Sequence, residues 1–258
     1  MVFRTLLGLG VVLVEEVLES LATSIDLAEE ATETHYEMDP PMKQLAPGSS
    51  EYRLYEKRFN DGWIDGDKSA SVTQIYITGK DDLLNSARGQ QFGRAMRQEG
   101  GGGFGTRFHG TQRACYIGEN GGRLFTCDKP ECYLCRVLGE SFRTEYARSP
   151  NSPIGPLFGP GIYSSVASSK ADCYARNHKI HSKKHVVLIC RVITNRPQML
   201  AYPDTTRTGP DHGFNCVEAV LKPQGGSVNY PETVVYRNDY IVPVGLIIYT
   251  REGWSSRT

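Results

Sequence analysis

An α+β fold is what this sequence predicts, because strand-like and helical segments occupy different parts of the chain. Strand-like segments dominate after residue 105, whereas helical periodicity precedes them and recurs between them. The 258 residues are 39% hydrophobic and 22% charged, which is ordinary for a globular protein. This length suffices for one sizeable core, or for one domain with an extension.

The extension comprises residues 1–48 and is strongly acidic. It carries nine acidic and two basic side chains, which leaves 20 acidic and 27 basic side chains for the rest of the chain. Its apolar residues recur at helical spacing with the acids on the other face, and prolines then interrupt the pattern. We predict an amphipathic helix over 1–35, a linker over 36–50 and one domain over 49–258.

The apolar run Thr5–Val14 does not predict a membrane span, because a spanning helix needs about 20 residues. It also lacks a convincing signal-peptide cleavage site, so we interpret it as part of a buried or docked helix. The seven cysteines are an odd number and suggest no regular disulfide framework. We therefore expect an intracellular protein, cytoplasmic or nuclear, with no membrane span.

Local patterns predict the elements of the domain. A helix begins after Ser49 or Ser50, either of which can be its N-cap, and a second helix is expected over Asp81–Arg97. Alternation over Val72–Thr78 predicts a strand, and the continuous apolar run Lys184–Ile193 predicts a buried central strand. Two further strands are expected at Glu232–Tyr236 and Val242–Tyr249. Another helix is expected to begin at about Ser168.

Three polar residues occur in separate short motifs. His109 lies in FHGT, Tyr163 ends FGPGIY, and Glu232 begins the apolar segment ETVVY. Taken singly, each has an ordinary explanation: a locally bonded histidine, a core tyrosine and a surface glutamate. A carboxylate that opens an apolar strand is the least ordinary of them, since its burial is costly without a partner.

Taken in order, these motifs resemble the catalytic domain of the poly(ADP-ribose) polymerase-like ADP-ribosyltransferases, over about residues 52–249. The segments SSKADCYA, GFNCV, VVLICRVI and YIVPVGLIIY share in the resemblance. It implies the diphtheria-toxin-like fold of that family, with split antiparallel β-sheets and flanking helices. It also implies that NAD is the substrate and that His109, Tyr163 and Glu232 are the catalytic triad.

The resemblance assigns NAD-binding roles on the histidine side of the site. His109 would hydrogen-bond the adenosine ribose, and Gly110 would bind the nicotinamide amide through its backbone. Thr111 stands where the family often has a serine that contacts ribose.

The same resemblance assigns roles to the residues that would contact the nicotinamide half of NAD. Tyr163 and Tyr174 would stack on the nicotinamide, and Glu232 would hydrogen-bond the attached ribose. Ala171 stands where the family often has a serine, so that hydrogen bond is either lost or supplied by Ser169 or the serine before it.

The implied reaction is NAD-dependent ADP-ribosyl transfer. The nicotinamide–ribose bond would break through an oxocarbenium-like transition state that Glu232 stabilises. The chain carries no recognisable DNA-binding, WGR-like or ankyrin module and leaves no room for the family's large helical regulatory domain. Transfer of a single ADP-ribose to a macromolecule is therefore expected. The expected acceptor is a protein or a nucleic acid, and the choice between them would depend on loops such as 140–158 and 198–212.

Four cysteines form a candidate zinc site: Cys115, Cys127, Cys132 and Cys135. The last two form a compact CxxC pair, and four thiolates satisfy tetrahedral zinc. The alternative is a set of reduced, partly buried thiols without a metal. Three histidines are other conceivable ligands, although their spacing better suits a polar helix end: His178, His181 and His185.

Two other functions remain open from the sequence. An NAD glycohydrolase would use the same triad with water in the acceptor's place. A non-enzymatic, zinc-containing module that binds nucleic acid or ADP-ribosylated protein would account for the cysteines and the basic domain.

Overall fold

The computed structural model describes residues 35–121, 124–148 and 156–252. In these residues the chain is a mixed α+β protein built mainly from antiparallel sheets, so the predicted fold class is confirmed. None of the helices in the described ranges is long and apolar enough to cross a membrane.

The amphipathic helix predicted for the amino-terminal extension lies outside the described residues, except for His35. This residue begins strand β1 (His35–Glu37), which pairs with β5 (Phe125–Cys127) in a two-stranded sheet. Strand β2 (Met42–Gln44) follows and joins the largest sheet. The segment 36–50 is thus not only a linker, because both strands complete sheets of the domain.

The larger sheet has five antiparallel strands. Besides β2 it contains β3 (Ser69–Thr78), β4 (Phe104–Gly110), β7 (Lys184–Ile193) and β11 (Ile241–Glu252). Their order is β2-β3-β11-β7-β4. The middle strands β7 and β11 are almost continuously buried, as expected for apolar runs covered on both faces. Strand β4, which carries the FHGT motif, is left at the edge.

The four-stranded sheet, the smaller of the two main sheets, consists of β6 (Ile162–Ser164), β8 (Pro197–Leu200), β9 (Cys216–Ala219) and β10 (Thr233–Val235). Their order is β6-β10-β9-β8, and only the β8–β9 pair is parallel. The strand predicted from Glu232 begins one residue later, so Glu232 stands at the entrance of β10. A separate small core that includes Phe158 and Val234 packs under this sheet.

Backbone hydrogen bonds join the two sheets beside the FHGT motif. The amide of Phe108 donates to the carbonyl of Ser165 over 2.7 Å, and the amide of Ser165 donates to that of Phe108 over 2.9 Å. Arg107 adds an ion pair to Glu218 and a hydrogen bond to Thr233, each 2.9 Å long. The edge strand β4 is therefore fixed against the small sheet just before His109.

The helices lie around these sheets, and their bounds are α1 (Ser50–Asp61), α2 (Lys80–Asn85), α3 (Ala87–Gln98), α4 (Tyr133–Glu140) and α5 (Ser168–Asp172). Short 3₁₀ turns occur at Thr144–Arg148, Lys222–Gln224 and Asn238–Tyr240. The predicted N-cap of the first helix is confirmed, because the Ser49 hydroxyl accepts a hydrogen bond from the amide of Tyr52.

The single helix predicted over Asp81–Arg97 is wrong, because the chain forms α2 and α3 there. Ser86 has an extended backbone, with ψ of 151°, and its hydroxyl accepts a hydrogen bond from the Gly89 amide to start α3. A Cβ at Gly89 would lie 1.8 Å from the carbonyl oxygen of Leu83, so this sharp turn depends on glycine. The serine cap and the close backbone approach break the helix at Ser86, although the apolar periodicity continues through this position.

One buried histidine makes fold stability depend on pH. His185 of β7 lies beside Tyr249 of β11, and burial together with Arg251 lowers its pKa to about 4. The unfolded chain takes up this proton below about pH 6.5 while the folded chain does not, so stability should fall as the pH falls. We expect a loss of about 1–2 kcal/mol between about pH 6.5 and 5 in urea denaturation. His185→Gln should lose less over this interval, and an equal loss would contradict the assignment.

Candidate functional site

A cavity of about 540 Å³ collects most of the predicted site residues. They come from β4 and the residue after it, from β6, from the turn that follows α5 and from the entrance of β10. The predicted residues that line the cavity are His109, Gly110, Thr111, Tyr163, Tyr174 and Glu232. Residues far apart in sequence thus lie around one space, as the motif order predicts.

His109 is held in one orientation by its neighbours. Its Nδ1 lies 2.7 Å from the carbonyl oxygen of Tyr163, and its ring meets Phe142 edge-on with the centroids 4.9 Å apart. Because a carbonyl only accepts, Nδ1 carries the proton. Burial lowers the pKa of His109, against the effect of this hydrogen bond, so the ring is neutral near pH 7. Its Nε2 is then an acceptor for a ligand hydroxyl.

Tyr163 offers its ring to the cavity while its hydroxyl is engaged in a turn. The hydroxyl accepts from the Phe158 amide over 2.8 Å and donates to the Gly159 carbonyl over 2.9 Å. Gly159 has φ of +77°, and a Cβ there would lie 1.7 Å from the carbonyl oxygen of Arg207. Burial raises the pKa of Tyr163, which keeps the phenol protonated. This arrangement suits stacking rather than proton transfer.

Glu232 is buried, and its carboxylate is paired. The Nζ of Lys170 lies 2.7 Å from its Oε1, and the same Nζ lies 5.4 Å from the ring centroid of Tyr174. Burial lowers the pKa of Lys170, but the Glu232 carboxylate more than offsets this and the pKa lies above its ordinary value. The cavity therefore contains a buried carboxylate paired with a partly buried ammonium, beside an aromatic ring.

Sequence reasoning missed Lys170 as a site residue. The available signal was its position four residues before Tyr174, since residues at that spacing in a helical stretch share one face. A lysine on the same helical face as Tyr174, which the sequence predicts to stack on the ligand, is a candidate partner for a nearby carboxylate.

Ser169, which the sequence predicts to bind the ligand, does not line the cavity. Its hydroxyl is buried against the end of α1, where it accepts from the Ile64 amide over 3.3 Å and donates to the Gly62 carbonyl over 3.4 Å. Ser168 likewise donates to the Phe59 carbonyl. Both hydroxyls hold α5 against the end of α1 and the residues that follow it.

Gly110 lies where β4 approaches the turn that follows α5. A Cβ at this position would lie 1.8 Å from the carbonyl oxygen of Ala171 and 3.1 Å from the amide nitrogen of Ala175. Gly110→Ala should therefore push β4 and this turn apart and cost about 1–3 kcal/mol of stability. Urea denaturation checks the loss.

Gly139→Ala is the matched control, because a Cβ there meets nothing within 4 Å and alanine favours the helix. Equal midpoints for Gly110→Ala and Gly139→Ala would show that the close approach at Gly110 is not structurally required.

The other wall of the cavity is formed by a part of the chain for which the sequence predicted no site residue. Residues of α4 and of the segment after it line this wall: Tyr133, Arg136, Val137, Phe142, Arg143, Glu145, Tyr146 and Ala147. Several of them are basic or aromatic, in contrast to the buried ion pair on the opposite side. No motif signalled them, since Tyr133 lies within the CxxC pair and the others lie between that pair and the tyrosine motif.

The four predicted cysteines lie together in a buried cluster that could hold a metal ion. Their Sγ atoms all lie within 4.8 Å of one another. The Cys115 sulfur is 3.7 Å from that of Cys132 and 3.5 Å from that of Cys135. The Ala114 amide donates to the Cys132 sulfur, and a hydrogen bond with Cys115 lowers the pKa of Cys132. Within the described ranges, the histidines considered as alternative ligands are not part of this cluster.

The cluster fixes the cavity wall to the rest of the domain. Cys132 immediately precedes α4, Cys135 lies within it, and Cys127 ends β5. The Leu134 amide also donates to the carbonyl of Gln112, just after the FHGT motif. Helix α4 is therefore positioned by its sulfur contacts and by one backbone bond to the strand end that carries His109.

The sequence was also compared with known proteins: it matches no family model and no curated protein.

Proposed function

We propose that this chain is an NAD-dependent ADP-ribosyltransferase that transfers a single ADP-ribose to a macromolecular acceptor. The observation that carries the proposal is the position of His109, Tyr163, Tyr174 and Glu232 around one cavity. Each of these residues has an ordinary explanation alone. Four separated segments that supply an acceptor nitrogen, two aromatic rings and a buried carboxylate to one space are better explained by a common ligand.

The proposed binding mode follows from the chemistry of each group. The neutral Nε2 of His109 accepts a ribose hydroxyl, and the backbone of Gly110 pairs with the flat amide of nicotinamide. The rings of Tyr163 and Tyr174 are available to stack on the nicotinamide, since the hydroxyl of Tyr163 is already used in its turn. Glu232 accepts a hydrogen bond from the ribose next to the bond that breaks.

The proposed reaction needs one carboxylate. As the bond between the ribose C1′ and the nicotinamide nitrogen breaks, both bonding electrons leave with nicotinamide, which departs as a neutral ring. Positive charge develops on the ribose, and the Glu232 carboxylate stabilises it more in the transition state than in the ground state. The acceptor then bonds to C1′ and loses a proton, which the same carboxylate can take. Lys170 orients the carboxylate through their ion pair.

The metal that fits the cysteine cluster best is zinc, in a structural role. With Zn–S bonds of about 2.3 Å, tetrahedral coordination places the sulfurs about 3.8 Å apart, close to the 3.5 and 3.7 Å found for two of the pairs. Four cysteine ligands leave no open position, so zinc would stabilise the wall of the cavity and take no part in the reaction.

The proposal is tested by incubating the full chain with NAD labelled in the adenosine half, with and without a cell lysate. We expect free nicotinamide together with label on a macromolecule, and mass spectrometry of the products identifies the acceptor. Nicotinamide release without any labelled macromolecule would instead identify a glycohydrolase. Absence of both release and transfer would contradict an NAD-cleaving function.

A further inference from the structure

Arg136 lies in a rigid aromatic setting on the cavity wall. Its Cζ is 5.4 Å from the ring centroid of Tyr133 and 5.1 Å from that of Tyr146. One of its nitrogens, Nη2, donates to the carbonyl of Pro130 over 2.5 Å. A guanidinium held near two aromatic rings by cation–π contacts still has further N–H groups available for hydrogen bonds.

The ion pairs formed by neighbouring basic residues in the described ranges do not involve Arg136. Lys170 is paired with Glu232, and Arg143 lies 3.4 Å from Glu140. Within the described ranges, no acidic group lies within ion-pairing distance of Arg136. A partly buried cation that faces a cavity and has no counter-ion of its own favours an anionic ligand.

The location of Arg136 relates this anion site to the rest of the ligand. Phe142, two residues beyond the end of α4, packs edge-on against His109. The α4 wall therefore adjoins the cavity on the His109 side. In the proposed binding mode this is the side of the adenosine ribose, so the linking diphosphate lies next to it.

The geometry points to Arg136 as the residue that binds the diphosphate of NAD, an inference that rests on the proposed function. Two parallel N–H groups of a guanidinium match two phosphate oxygens. Tyr133, Tyr146 and the Pro130 carbonyl all contact the Arg136 guanidinium and so limit its movement. Helix α4 is anchored by the cysteine cluster, so this cluster would position the phosphate-binding group. The site would then select nucleoside diphosphate compounds over free nicotinamide riboside.

The test measures the binding of ADP-ribose and of nicotinamide by calorimetry, with the full-length chain. Arg136→Gln should weaken ADP-ribose at least about tenfold, the expected effect of losing a charge-assisted pair. Nicotinamide binding should stay unchanged. Arg94→Gln is the matched control, because Arg94 is exposed on α3 and does not line the cavity.

A second variant keeps the test decisive if Arg136→Gln folds poorly. Tyr146 is 48% exposed, so Tyr146→Leu removes one side of the aromatic pair without disturbing the core. It should also weaken ADP-ribose, by a smaller factor.

Three results would overturn the inference. If the wild-type chain binds neither ADP-ribose nor nicotinamide, the proposed function fails together with it. If wild type binds both and the two variants bind ADP-ribose equally well, only the role of Arg136 fails. If Arg136→Gln weakens a 5′-phosphorylated oligonucleotide but not ADP-ribose, the arginine belongs to an acceptor site.

Discussion

Glu232→Gln should reduce the rate of nicotinamide release from NAD by about 10²–10⁴-fold while the KM for NAD changes little. Glutamine has nearly the same shape and can still hydrogen-bond a ribose hydroxyl. It lacks the negative charge that, in the proposed mechanism, stabilises the developing oxocarbenium ion, and it cannot take the proton of the acceptor. The measurement is steady-state release of nicotinamide at several NAD concentrations.

A suitable control loses an ion pair outside the cavity. Glu218 pairs with Arg107 over 2.9 Å and does not line the cavity, so Glu218→Gln should keep most of the activity. Because Glu232→Gln leaves the Lys170 ammonium without its partner, thermal melting of both variants must accompany the kinetics. A well-folded Glu232→Gln protein with wild-type turnover would rule out the proposed mechanism.

Cys132→Ser should remove the bound metal and lower the melting temperature by about 6–12 °C. One missing ligand is expected to cost about 3 kcal/mol or more, since metal binding contributes directly to folding, and about 1 kcal/mol corresponds to 2–4 °C at this chain length. Metal content per chain and thermal melting, with and without a chelator, are the measurements. NAD affinity should fall too, because α4 forms one wall of the cavity.

Cys173→Ser is the control, since this thiol is exposed and lies outside the cluster. We expect it to retain the metal and the wild-type melting temperature. Purified protein without metal, combined with equal melting of Cys132→Ser and Cys173→Ser, would mean that the four sulfurs are only a packed group of thiols.

Secondary-structure elements were predictable from the sequence where burial determines the order of apolar and polar residues. The run Lys184–Ile193 is a strand with the predicted bounds, because a buried strand in the middle of a sheet needs a continuous apolar run. Residues 81–97 were wrongly predicted as one helix, because the break at Ser86 depends on a side-chain cap and on one close backbone approach. Such local contacts leave no trace in periodicity.

The residues that line the cavity were predictable where they belong to a short sequence motif on a strand. His109 and Tyr163 line the cavity because the strands that carry them are joined beside it. Ser169 lies outside the cavity lining because its hydroxyl forms its hydrogen bonds with nearby backbone, including the carbonyl of Gly62. Lys170 and Arg136 were missed because their roles depend on partners far away in sequence or on a wall that no motif describes.

The paired backbone bonds between Phe108 and Ser165 have a consequence for which sequence changes the site tolerates. They join the two ends of the stretch that contains the cysteine cluster and α4. The backbones that carry His109 and Tyr163 are therefore held together directly, and not only through the residues between them. A change at an uncrowded position of this stretch, such as Gly139→Ala, should leave the spacing of those two backbones unaltered.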